Sequence, residues 1–267
     1  MIHINPNLFP GGRTAALTMS YDDGAVFDEQ LIDIFNRYGI KGTFHVNDWS
    51  IGEGCNFTPE KARELYKGHE LSVHSCDHPM FGHLNDIELY DQIVKNKEKI
   101  ENICGYTVRG MSYPHGVFNE RIMNVMRVAG MKYGRTTEKT LYTTIPEDFL
   151  AWHPSGHHKD NILDLYKLIE NPKAQWNNPR LLYIWGHSHE FGHEGNWDLM
   201  EEFCKTAAGH DHIWYATNIE IYDYVTAARN LEISANRKTV FNPSYLSVWV
   251  TVEGSDVVEI KPGENKL

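Results

Sequence analysis

Short apolar runs alternate with amphipathic stretches along most of the chain, a rhythm that predicts strands and helices taking turns. Residues 14–20 (TAALTMS) have the length and composition of a buried strand. A helix over 26–38 follows, with Phe27, Leu31, Ile34, Phe35 and Tyr38 at helical spacing before Gly39. The rhythm then predicts a strand over 42–46, a helix with Thr58 as N-cap, Pro59 at its first position and Gly68 past its end, and a strand over 70–74. The longest helix covers 85–104: Asn85 and Glu88 have capping-box spacing, Ile87, Tyr90, Ile93, Val94, Ile100 and Ile103 form its apolar stripe, and Gly105 ends it. Beyond it the pattern gives strands over 107–112, 131–134, 181–185 and 213–217, interleaved with helices over 119–129, 161–170, 197–208 and 219–230.

Such alternation with short connections implies an α/β fold around a parallel sheet, and periodicity alone leaves an open doubly wound sheet and a closed barrel both allowed. The C-terminal stretch breaks the rhythm. Residues 245–252 and 257–260, separated by Glu253-Gly254-Ser255-Asp256, read as a hairpin. With no linker and no internal repeat, the chain reads as one domain over 1–267, with its core at 13–231 and a short β extension at 232–267.

Composition narrows the function classes. The chain carries 25 Lys and Arg against 36 Asp and Glu, a formal charge of −11 that disfavours nucleic acid and anionic membrane surfaces as partners. The first residues lack a basic stretch followed by an apolar one, and no run approaches the roughly 18 apolar residues of a membrane span, so a cytoplasmic location is expected. Cys55, Cys76, Cys104 and Cys204 are dispersed without a CxxC pair and read as reduced thiols. The 15 histidines, several close together, point instead to a nitrogen-rich metal site.

Four segments place reactive side chains at or near predicted strand ends, where parallel α/β folds carry their functional loops. Ser20-Tyr21-Asp22-Asp23-Gly24 follows the first strand, although Asp-Asp-Gly is also ordinary turn chemistry. His74-Ser75-Cys76-Asp77-His78 places two imidazoles four residues apart, within reach of one cation, and a carboxylate such as Asp23 completes a three-ligand set with an open position. Arg109-Gly110-Met111-Ser112-Tyr113-Pro114-His115-Gly116 sets an arginine behind a Pro- and Gly-shaped turn. Ile184-Trp185-Gly186-His187-Ser188-His189 delivers a histidine where a general acid or base would sit.

Together and in this order, these segments resemble the NodB-homology polysaccharide deacetylases, the fourth family of carbohydrate esterases, over about residues 14–189. The resemblance matches Ser20 to Gly24 to the family's first motif, His74 to His78 to its second, and Arg109 with Pro114 to its third, with His115 where an aromatic is expected. It matches Asp148-Phe149-Leu150-Ala151-Trp152 to the fourth and Ile184 to His187 to the fifth, which favours His187 over His189.

The resemblance implies a distorted (β/α) barrel of about seven strands and a metal-dependent hydrolase that removes N-acetyl groups from an acetylated sugar or oligosaccharide. It assigns Asp23, His74 and His78 to one divalent ion, zinc by preference, with cobalt or nickel as alternatives. Asp22 then serves as general base, oriented by Arg109, His187 as general acid, and Asp148 as support for the Arg109 side or for the imidazole. The backbone N–H of His115 stabilises the oxyanion, and Tyr113 and Trp152 line the substrate site. Trp49, Trp185 and Trp197 are candidates for stacking on sugar rings, with core packing the commoner fate of such aromatics; Cys76 reads as a buried inert thiol in preference to a soft extra ligand; and His157, His158, His193, His210 and His212 read as solvated loop positions. Two other readings stand beside this one: an O-deacetylase of the acetyl-xylan type or another amidase, and a metal-dependent carbohydrate-binding module without turnover.

Overall fold

The computed structural model describes residues 3–172, 179–254 and 256–267. In chain order, β1 (Ile4–Asn5) is followed by β2 (Ala15–Asp22), α1 (Asp28–Tyr38), β3 (Gly42–Val46), α2 (Pro59–Leu65), β4 (Glu70–Val73), α3 (Asp86–Cys104), β5 (Gly110–Ser112), α4 (Glu120–Val128) and β6 (Tyr133–Arg135). Then come β7 (Gly156–His157), α5 (Ile162–Glu170), β8 (Arg180–His187), α6 (Ser188–Glu194), α7 (Trp197–Ala207), β9 (Ile213–Tyr215) and α8 (Asn218–Arg229). The chain ends with β10 (Glu232–Ile233), β11 (Thr239–Asn242), β12 (Val248–Val252), β13 (Asp256–Ile260) and β14 (Gly263–Lys266).

The parallel strands run β6-β5-β4-β3-β2-β8-β7 across one curled sheet, with β9 paired to the start of β2. Residues 152–157 bring the two ends together. Trp152 N–H donates to Gly134 O at 2.9 Å, and Thr136 N–H to Trp152 O at 3.0 Å. On the other side Ser155 N–H donates to Tyr183 O at 2.8 Å. The result is the distorted seven-strand barrel expected from the resemblance.

The β2 sequence AALTMSYD shows why this strand is central. Successive side chains point to opposite faces. Leu17, Met19 and Tyr21 therefore enter the apolar core under the helices, while Thr18, Ser20 and Asp22 face the barrel interior. That interior is polar in layers where barrels commonly pack branched aliphatics. Thr18 donates to Asn218 Oδ1 (2.8 Å), and Thr43 (3.0 Å) and Tyr133 (2.8 Å) both donate to the Glu70 carboxylate. Burial pushes Glu70 up to about 7.

The helix boundaries follow the predicted caps. Asn85 accepts from the Glu88 N–H at 3.0 Å while the Glu88 carboxylate accepts from Asn85 N–H at 2.9 Å, and Gly39 and Gly105 end their helices at φ 67° and 76°. Among the described residues no helix is long and apolar enough to cross a membrane.

Three features escape the sequence pattern. Helix α6 is only seven residues long and follows β8 without a break. Strand β7 has two residues. The C-terminal extension is more than a hairpin: β12 and β13 pair as expected but accept β1 at their edge, and β10, β11 and β14 form a second small sheet. The polar sequence Gly-Glu-Asn-Lys of β14 offers no alternation to read. Ser255, in the predicted hairpin turn, lies outside the described residues. Val240, Val248, Val250 and Ile260 from this extension bury completely against a second core with Ala16, Leu181, Tyr183 and Tyr224, beneath the barrel.

Candidate active site

Parallel pairing aligns the C-terminal ends of the strands. Asp22 lies opposite both His45 and His187 in the ladders, and Ser112 lies opposite Arg135. His74 follows β4 directly, with Nδ1 placed 3.0 Å from Ser112 O and 2.7 Å from Ser112 Oγ. These contacts leave Nε2, which is buried without a hydrogen-bond partner and lies 3.6 Å from Asp23 Oδ1.

The loops that leave these strands turn sharply. Asp23, Ser75, His78 and His115 adopt φ of 75°, 69°, 51° and 57°, the left-handed region that non-glycine residues rarely enter. Such strain persists where the surroundings fix it, and here it sits on three loops converging at one place. Gly24, at φ 60°, completes the first turn, and a Cβ there would collide with Ser50 and Val46.

Asp23, His74 and His78 each bring one ligand atom within 4.8 Å of the others, while the His74 and His78 rings meet edge to face at 4.7 Å. Burial and the neighbouring His74 pull His78 down to about 4, and burial also lowers His74, so both imidazoles are neutral with lone pairs to donate. An orphaned buried nitrogen, a second neutral imidazole and a half-buried carboxylate fit a divalent cation with an open coordination position.

Asp22 is fully buried beside this cluster. Burial alone would raise it, but the Arg135 guanidinium, reinforced by His74, His45 and His187, holds the carboxyl well below the usual carboxylate range. Arg135 donates to Asp22 Oδ2, Ser112 donates to Oδ1 at 3.1 Å, and the Arg135 guanidinium stacks on Trp185 at 4.2 Å.

His187 reaches the site from β8, its Nε2 4.0 Å from Asp23 Oδ2. Burial alone would lower this imidazole, but Glu190, Asp22 and Asp23 outweigh it and raise the value. Glu190 Oε2 lies 3.3 Å from His187 Nδ1, and His157 Nε2 (3.1 Å) and Lys159 Nζ (2.9 Å) also meet this carboxylate. Burial would raise Glu190, yet hydrogen bonds from His157, His187 and Lys159 hold it far below the usual carboxylate range.

Several expected assignments change. Arg109 does not reach Asp22; it makes a bidentate pair with Asp223 of α8 at 2.8 and 2.7 Å. It precedes β5, and at about 3.3 Å per residue three strand residues carry it to the opposite end of the barrel from Ser112. Arg135 takes the place beside Asp22, and its position at the C-terminal end of β6 was the available clue. Asp148 caps the turn Phe149–Ala151, pairs with Arg127 at 3.0 Å and is half-exposed, so it supports neither Asp22 nor His187. Glu190, three residues after His187, supplies the carboxylate instead.

Tyr113 and Trp152 do not line a substrate surface, since both are 1% exposed. The Tyr113 hydroxyl donates to Leu150 O at 2.6 Å, and Trp152 packs on Tyr133, Phe149 and Tyr183. His115 does arrive at the site, its ring 4.3 Å from that of His78. Cys76 is no ligand: its thiol contacts Gln92 O at 3.5 Å, and burial pushes it up to about 12.

His157 and His158 are not solvated loop residues. His158 is fully buried between Tyr21 and Phe191, and His157 joins the Glu190 cluster. His193 is exposed, whereas His210 and His212 are partly buried against the carbonyls of Thr206 and Ile169. Of the three tryptophans, Trp49 is exposed 6.3 Å from the His78 ring, Trp185 lies under Arg135, and Trp197 packs on Phe191.

Residues 10–134 match the family model for polysaccharide deacetylase. The chain is 27% identical to a peptidoglycan-N-acetylglucosamine deacetylase of Listeria monocytogenes over 47% of its own length and 27% of that protein. It is 24% identical to the enzyme of the same name from Bacillus cereus, over 60% of this chain and 64% of that one. The match thus spans less than two thirds of either relative. A solved structure of a Mycobacterium smegmatis protein assigned to the polysaccharide deacetylases superimposes with a TM-score of 0.63 at 16% identity, covering 84% of this chain and 94% of that one, a likeness of fold. The motifs around Asp23, His74 and His78, the barrel that carries them and the family-model match over residues 10–134 bear out the resemblance to the NodB-homology polysaccharide deacetylases, the fourth carbohydrate esterase family.

Proposed function

We propose that this protein is a metal-dependent deacetylase that hydrolyses the N-acetyl amide of an N-acetylated sugar or oligosaccharide, releasing acetate and a free amine. One observation carries the reading: a buried carboxylate, Asp22, held ionised by Arg135, lies opposite His187 in the ladder and 3.7 Å from His74 Nε2 of the Asp23, His74, His78 cluster.

Asp23, His74 and His78 would hold a divalent cation, zinc by preference, which supplies Lewis acidity toward the acetyl carbonyl and the attacking water. Asp22 takes the proton from that water. Its partners Arg135 and Ser112 fix the carboxylate so that one oxygen is aimed rather than free to rotate. The His115 backbone, held in its left-handed turn beside His78, offers its N–H to the developing oxyanion. His187 Nε2 then gives its proton to the departing amine nitrogen, and the raised imidazole favours the protonated form this needs. Exposed Trp49 offers a face for a sugar ring at the mouth.

The relatives named for peptidoglycan N-acetylglucosamine support an N-acetylated glycan as the substrate class. The test compares wild type with His74→Ala for metal content by elemental analysis and for acetate release from N-acetylglucosamine oligomers and from acetylated xylan. Near-stoichiometric metal and release from the amide substrate, both lost in the variant, are expected. Acetate from xylan alone would move the reading to an esterase, and glycan binding with no release from either would make the chain a binding module.

A further inference from the structure

We infer that Glu190 is the positioning residue of His187, with Lys159 and His157 fixing the Glu190 carboxylate in turn; this rests on the reading of His187 as the general acid.

Helix α6 begins immediately after β8, so His187 is at once the last strand residue and the N-cap. Glu190 stands three residues on, where its carboxylate accepts from the His187 backbone N–H at 3.2 Å and lies 3.3 Å from ring Nδ1. One carboxylate oxygen thus closes the helix start and orients the imidazole, which ties the direction of Nε2 to the backbone. With Nδ1 engaged, Nε2 is the nitrogen presented toward Asp23, 4.0 Å away.

A glutamate side chain would move freely unless held, and the loop after β7 holds it. Lys159 Nζ lies 2.9 Å from Glu190 Oε1 and 2.6 Å from Glu194 Oε1, and His157 Nε2 lies 3.1 Å from Glu190 Oε2. His158, from the same loop, stacks on Phe191 at 4.1 Å and places its Nε2 3.3 Å from Glu190 Oε2. The consecutive residues His157, His158 and Lys159 therefore brace α6 from below.

The His157, His187 and Glu190 atoms are close enough to hold a metal ion of their own. The Lys159 ammonium on the same carboxylate argues against it, because a fixed cation there opposes a second one and already occupies Oε1. The cluster is an oriented hydrogen-bond network.

The test uses the full chain loaded with zinc and measures metal content and acetate release from N-acetylglucosamine oligomers for wild type, Glu190→Ala, Glu190→Gln, Lys159→Ala, His157→Ala and His187→Ala. Glu190→Ala is expected to lower kcat about 10- to 100-fold with KM and metal content unchanged. Glu190→Gln keeps an acceptor for Nδ1 and should recover most of the loss, and Lys159→Ala should cost about 3- to 10-fold. At a pH where the ring is neutral, nitrogen NMR of His187 should show one tautomer in wild type and a mixture in Glu190→Ala. If His187→Ala is inactive while Glu190→Ala and Lys159→Ala both match wild type, the positioning role falls and the acid stands. Activity of His187→Ala at the wild-type rate would overturn the acid itself, and this role with it. A second metal equivalent lost in His157→Ala would overturn the network in favour of a metal site. Should Glu190→Ala not fold, Lys159→Ala and Glu190→Gln still decide the matter.

Discussion

Asp22 and Arg135 form a fully buried ion pair, and a buried charge tolerates the loss of its partner badly. Arg135→Ala is therefore expected to destabilise the fold by about 3–5 kcal/mol in urea unfolding and to reduce acetate release at least about 100-fold. Arg109→Ala, which removes only the pair with Asp223, should leave kcat within about twofold and cost roughly 1 kcal/mol. A second single-residue prediction concerns Glu70, raised to about 7 from 4.5 by burial. The fold favours its protonated form. That contribution is complete below the unfolded value and is lost as pH rises through about 7. Glu70→Gln is neutral throughout, so its stability relative to wild type should rise between pH 5 and pH 8 by up to about 3 kcal/mol in paired unfolding curves; a flat difference would contradict the assignment. At this scale the sequence was readable for Asp22, Asp23, His74 and His78, because residue type and spacing within each motif are local, and the parallel pairing of β2, β3 and β4 then brings the two motifs together. It misled for Arg109, because a pattern of residue types does not say how far along a strand a side chain lies from the site.

At the scale of elements, α3 does more than cover the sheet. Asn96 on its inner face accepts from His74 N–H at 3.1 Å and donates to Asp48 at 2.8 Å, so the helix anchors the turn that presents a candidate ligand. Asn96→Leu should weaken zinc affinity about tenfold in competition with a chelator, while an exposed change on the same helix should not. The amphipathic stripes and end signals of α1 and α3 were legible because burial of one face and satisfaction of end groups are local demands. Helix α6 was not. Seven residues with three polar side chains in its first turn give no stripe, and its start is defined by Glu190 closing back on His187. The short strand β7 exists only because β8 lies beside it, and its two residues carry no period at all.

Across the whole molecule, the C-terminal extension seals the core below the barrel. Val248 and Val250 are fully buried there with Ile260, Leu181 and Tyr183. The double change Val248→Ala, Val250→Ala should cost about 2–5 kcal/mol, read as a lowered urea midpoint, without altering metal content, since the pair lies at the end of the barrel away from His74. The sequence by itself determined the alternation of strands and helices, the parallel sheet that follows from it and the two motifs that supply the candidate metal ligands, because spacing and chain-local caps encode these directly. Only the tertiary structure decided that the barrel interior is polar, that Arg135 rather than Arg109 holds Asp22, and that Glu190 rather than Asp148 meets His187. Each of those depends on strand register and on which ends of distant segments meet, and no local pattern of residues records that distance.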